Sequence, residues 1–267
     1  MDRNHAIGVL DSGVGGLTVV REIFRQLPEE RIVYFGDTAR MPYGPRPHEE
    51  VRDFVRQIIL FLETQDVKMI IVACNSATAA GLPSYQTEFS LPILGVIEPG
   101  VRAALCHTRT KRVGVIGTTG TIASRAYEKL IGKLDSAVSV VSQACPLLVL
   151  IVENDLTETP EALRVAEEYL HTMREAEIDA LILGCTHYPL MSGVLAKVLG
   201  PGVRLISSAE ETAREAKEVL QSLALERAAS AGEDRHRFFV SGNPSTFKAV
   251  GKKLLCREVN AYQVLLP

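Results

Sequence analysis

Cys74 and Cys185 occupy the same place in two similar stretches, VACNSATAA at 72–80 and LGCTHYPL at 183–190. In each, an apolar run ends, a cysteine follows, and small polar residues come next. A free thiol has a pKa near 8.5 and is mostly protonated at neutral pH, so a nearby base makes the thiolate accessible. Asp11, in DSGVGG (11–16), and His187, two residues past Cys185, are candidate proton acceptors. Glu153, ending LLVLIVE, is a candidate to orient or charge-balance His187. Ser12, Asn75, Ser76, Thr186 and the turn Gly117–Thr121 offer hydroxyls and amides, enough to hold an α-carboxylate and an ammonium. As structure alone, Asp11, Ser12, Asn75, Ser76 and Thr186 would be helix caps. Cys106, Cys145 and Cys256 have no such setting and are expected to be small packing residues.

Two thiols approaching one carbon from opposite sides suit a particular reaction. Inverting a stereocentre through a carbanion needs a base on one face and an acid on the other. Running in both directions, each group must serve as both, so the two faces call for the same residue type. A hydrolase needs one nucleophile and one base instead.

The elements that must carry these residues alternate. AIGVL (6–10), RIVYF (31–35), KMIIVA (68–73), PILGVI (92–97), RVGVIG (112–117), VSVVS (138–142), DALILG (179–184) and VRLI (203–206) have the pattern of buried strands. Helical periods lie between them, as at 48–65, 160–175 and 208–225. That alternation predicts βαβ units in parallel sheets, where ligands bind beyond the carboxyl ends of strands. Both cysteines stand at such an end. IGVLDSGVGGLT (7–18) also lines up with VGVIGTTGTIAS (113–124), so the chain reads as two similar halves. The fold class is therefore α/β: two pseudosymmetric parallel-sheet α/β domains with the active site in the cleft between them. The first spans 1–98 plus about 208–267, and the second 99–207. A polar connection is expected at 225–236, and the tail 238–247 adds one more strand and helix to the first domain.

Composition excludes several classes. A formal net charge of −3 gives no footprint for nucleic acid, and no apolar run approaches the ~18 residues of a membrane span. Met1 is followed by Asp-Arg-Asn-His rather than a basic segment and an apolar run, so the expected location is cytoplasmic. DSGVGG is neither a dinucleotide fingerprint nor a P-loop, since Thr stands at 18 and no Gly-Lys-Ser/Thr follows. No metal-ligand spacing is present, and neither metal nor organic cofactor is expected.

DSGVGGLTV, YFGDTARMPYG (34–44), VACNSAT, VIGTTGTI and LGCTHYPL, in that order, make the chain resemble the glutamate racemases of the aspartate/glutamate racemase family. The resemblance covers nearly the whole chain. It implies cofactor-independent interconversion of L- and D-glutamate, supplying D-glutamate for peptidoglycan, by a homodimer. It implies Cys74 and Cys185 as the proton donor/acceptor pair, Cys74 acting on D-glutamate and Cys185 on L-glutamate. Asp11, His187 and Glu153 would be auxiliary acid/base groups. Asp11, Ser12, Tyr43, Gly44, Asn75, Ser76, Thr186 and His187 would bind substrate, with Thr118 and Thr121 lining the site. Ser76 stands where the family usually has threonine, and keeps the hydroxyl. The alternatives are a sister racemase for aspartate or a hydantoin, and a two-lobed amino-acid-binding protein without catalysis.

Overall fold

The computed structural model describes residues 2–228 and 236–266. Among them are ten strands: β1 (Ala6–Asp11), β2 (Ile32–Gly36), β3 (Val67–Val72), β4 (Ile93–Gly95), β5 (Arg112–Gly117), β6 (Ser139–Ala144), β7 (Ala180–Gly184), β8 (Arg204–Ser207), β9 (Arg237–Val240) and β10 (Ala261–Gln263). The helices are α1 (Leu17–Gln26), α2 (His48–Glu63), α3 (Asn75–Glu88), α4 (Ile97–His107), α5 (Thr119–Ser124), α6 (Ala126–Leu134), α7 (Pro146–Glu153), α8 (Pro160–Glu175), α9 (Ser192–Leu199), α10 (Ser208–Ser222) and α11 (Pro244–Leu255). A 3₁₀ turn covers Tyr188–Met191.

Every strand pairing is parallel, in two sheets ordered β10-β9-β2-β1-β3-β4 and β6-β5-β7-β8. The order β2-β1-β3-β4 repeats as β6-β5-β7-β8, so β1 corresponds to β5, and β3, which precedes Cys74, to β7, which precedes Cys185. The inner strands β1, β5 and β7 read as largely apolar, buried runs because helices cover both faces of each sheet. On the first sheet, Ile7, Val9 and Ile71 pack against α1 and α10, while Leu10, Ile70 and Val72 pack against α2 and α3. On the second, Val113, Val115 and Ile182 meet α4 and α6, while Ile116, Leu181 and Leu183 meet α7, α8 and α9.

Several helix starts carry their own caps. Thr118 accepts from Thr121 N at α5, Thr159 from Ala162 N at α8 and Asn243 from Ser245 N at α11. Pro160 and Pro244 take first-turn places where a missing N–H costs nothing. The tail contains two strands rather than the one expected. The three-residue β10, at the outer edge of β9, is too short to show a period. Of the polar connection expected at 225–236, residues 229–235 lie outside the described residues.

Candidate active site

A parallel sheet gathers its strand-to-helix turns at the carboxyl ends of its strands, and here two sheets present theirs to one cavity of about 230 Å³. Cys74 follows β3 as the N-cap residue of α3, and Cys185 follows β7. Both thiols are buried, and both line the cavity. Cys106, Cys145 and Cys256 are free thiols that do not line it; Cys145 is buried as expected of a packing residue, whereas Cys106 and Cys256 are exposed.

The surroundings of the two thiols differ. Cys185 Sγ lies 3.6 Å from His187 Nδ1, and His187 Nε2 is 3.4 Å from Glu153 Oε1. The second contact has ion-pair distance without hydrogen-bond alignment. Burial alone would push His187 down. The contacts with Cys185 and Glu153, with the negative charge of Asp11, outweigh it and carry the imidazole up to about 10. Cys74 has no such neighbour; Ser12 Oγ lies 3.8 Å from it. Burial first, then the Asp11 charge, push its thiol up to about 12, against weaker opposition from the Ala77 amide and Ser12. One sulfur is held as an acid while the other is paired with a cation.

Ser12, Tyr43, Gly44, Asn75, Ser76, Thr118, Thr186, His187 and Glu153 all line the cavity. Asp11 and Thr121 lie behind its wall. Asp11 is fully buried; its Oδ2 accepts from Gly13 N at 2.9 Å and its Oδ1 from Thr186 Oγ1 at 3.4 Å. It braces the glycine turn against the Cys185 turn rather than capping α1, whose N-cap is Gly16. Thr121 Oγ1 is 3.0 Å from Thr118 Oγ1, which in turn lies 2.9 Å from Ser76 Oγ. That hydroxyl cluster joins the first turn of α3 to that of α5, and Gly120 N adds a 2.8 Å bond to Gly44 O.

Sequence reasoning missed two groups. An apolar wall of Met41, Pro42, Pro45, Pro146, Val149 and Leu150 also lines the cavity. Pro146, Val149 and Leu150 lie at helical spacing and look like ordinary core, while Met41 and Pro42 stand in the loop YFGDTARMPYG without a polar group to single them out. The second group is Asp37, fully buried, which accepts a short hydrogen bond from Tyr43 OH. Ser241 Oγ and Arg40 Nε donate to the same carboxylate, each at 2.7 Å. The signal available was position: Asp37 follows β2 in FGDT much as Asp11 ends β1. Among the described residues no cluster of His, Cys, Asp or Glu is arranged to hold a metal ion, and no helix is long and apolar enough to cross a membrane.

The family model for Asp/Glu/Hydantoin racemase matches residues 7–216. The chain is 48% identical over 262 residues to a glutamate racemase of Geobacter metallireducens, covering 98% of this chain and 97% of that protein. The crystal structure of a glutamate racemase isoform from Bacillus anthracis superposes with a TM-score of 0.95 at 47% identity, covering 98% of both chains. The glutamate racemase of Francisella tularensis, solved in complex with D-glutamate, gives 0.91 at 36% identity, covering 99% of this chain and 98% of that one. On sequence and architecture together, the chain belongs to the Asp/Glu/Hydantoin racemase family.

Proposed function

We propose that this protein is a glutamate racemase working by two-thiol proton transfer. The observation that carries this reading is that Cys74 and Cys185 line one cavity from equivalent strand ends of two matching sheets. A thiolate on one side takes the α-hydrogen as a proton: the C–H bond breaks, S–H forms, and the electron pair stays on carbon. The thiol opposite then gives its proton to the other face of that carbanion. The His187–Cys185 pairing supports Cys185 as a base and the raised Cys74 thiol supports Cys74 as the matching acid; the family resemblance directs Cys185 to L-glutamate and Cys74 to D-glutamate. Backbone N–H groups at the starts of α3 and α5, with Ser76, Thr118 and Thr186, suit carboxylates. Donors fixed before reaction stabilise charge as it spreads into the α-carboxylate. The two halves are taken as 1–98 with about 208–267, and 99–207.

Glutamate is preferred over aspartate because glutamate racemases match the chain over nearly its full length at high identity. The D-glutamate-bound relative supports the same substrate here. The resemblance also underlies a homodimer in the cytoplasm supplying D-glutamate for peptidoglycan. In D₂O, early turnover of L-glutamate should give deuterated D-glutamate while recovered L-glutamate stays protiated, because each sulfur holds its own proton site. Cys74→Ser and Cys185→Ser should each abolish racemisation in both directions. Deuterium entering recovered substrate as fast as product, or full activity in either variant, would sink the two-thiol mechanism. A kcat/KM for aspartate equal to that for glutamate would favour the sister activity.

A further inference from the structure

Tyr127 takes no part in the proton transfers, yet it touches both cysteine turns. It is the second residue of α6 and is 1% exposed. Its hydroxyl accepts a 2.8 Å hydrogen bond from Nδ2 of Asn75, the residue after Cys74. Its ring lies against Gly184, the residue before Cys185, so closely that a methyl there would come within 3.1 Å of Tyr127 Cε2. Burial pushes the phenol well up, so it stays a neutral hydroxyl across any working pH.

We infer that Tyr127 is a positioning residue for racemisation, its phenol fixing the Asn75 carboxamide across the two cysteine turns. The proposal rests on the racemase reading above. An asparagine carboxamide turns easily about its last torsion, which has broad wells. Tying one N–H to a rigid ring on α6, a helix packed on the other sheet, removes that freedom. The carbonyl and the second N–H remain for a ligand, and Asn75 lines the cavity. The ring's contact with Gly184 refers this geometry to the Cys185 turn. Asn75 thereby keeps a constant relation to both sulfurs, although it belongs to the Cys74 half.

The test uses Tyr127→Phe, Asn75→Ala and the double variant, with steady-state kinetics in both directions and thermal unfolding. Tyr127→Phe keeps the ring and loses only the hydroxyl. Its kcat/KM should fall about tenfold, the worth of one buried hydrogen bond, mostly through KM. The double variant should be no worse than Asn75→Ala alone, since the phenol acts through that side chain. Wild-type kcat/KM in Tyr127→Phe, fully additive losses in the double variant, or a Tyr127→Phe chain that fails to fold would assign the phenol to stability and overturn the proposal. Absence of glutamate racemisation in the wild-type protein would instead strike the parent reading, so the two failures are separable.

Discussion

The His187–Cys185 contact has no counterpart beside Cys74, and that asymmetry has a pH signature. His187 is raised from 6.5 to about 10 and Cys74 from 9.0 to about 12, so both hold a proton more tightly when folded. Such groups contribute stability in full below their unfolded values and lose it as pH climbs through their folded ones. The His187 part should disappear between pH 6.5 and about 10, and the Cys74 part above pH 9. Unfolding temperature should therefore decline from neutral pH upward, and His187→Asn should flatten the decline across the first window. Parallel curves for the two proteins would remove His187 as the responsible group.

At the scale of elements, the glycine turn before α1 is packed directly onto the Cys185 turn. A methyl group at Gly15 would overlap Thr186 Oγ1 and come within 3.0 Å of His187 Nδ1. The atoms in the way belong to the side chains of two site residues, so Thr186 and His187 must shift. Gly15→Ala is expected to lower kcat/KM on the order of a hundredfold, the penalty for displacing a catalytic group by about an ångström. The hydrophobic faces of both sheets are untouched, and the unfolding temperature should drop by a few degrees at most. Activity within twofold of wild type would mean that the turns tolerate separation.

On the scale of the molecule, chain segments distant in sequence meet at one buried ion pair. Lys68 Nζ lies 2.6 Å from Glu30 Oε2, with side chains 0% and 2% exposed. The same ammonium donates to Arg3 O and Leu225 O, each at 2.8 Å, and Glu30 Oε1 accepts from Arg227 N at 2.9 Å. The amino terminus, β3, the approach to β2 and the segment after α10 are thus tied together far from the cavity. Lys68→Met would strand a buried carboxylate and should cost about 3–5 kcal/mol in urea denaturation. Adding Glu30→Leu should recover a substantial part of that loss, since the uncompensated charge is its main source. Activity per folded molecule should be unchanged in both. A double variant no more stable than Lys68→Met would place the cost in the lost backbone contacts instead.

What the sequence by itself determined was whatever local pattern can carry. Short, mainly apolar runs marked eight strands to within a few residues, because a strand covered on both faces needs no polar side. The matched turns singled out Cys74 and Cys185, and their polar neighbours came with them, since a residue next to a strand end cannot lie far from it. Tertiary structure alone decided which distant residues meet. Nothing near Asn75 points to Tyr127, nor near Asp37 to Ser241, because those meetings depend on how two sheets face each other and where the chain returns. It also decided depth: Asp11 and Thr121 stand in the expected turns but behind the wall, while Thr119 and the apolar Val149 and Leu150 reach it. Side-chain direction at a turn is set by the packing of the opposite half, and no single half contains that information.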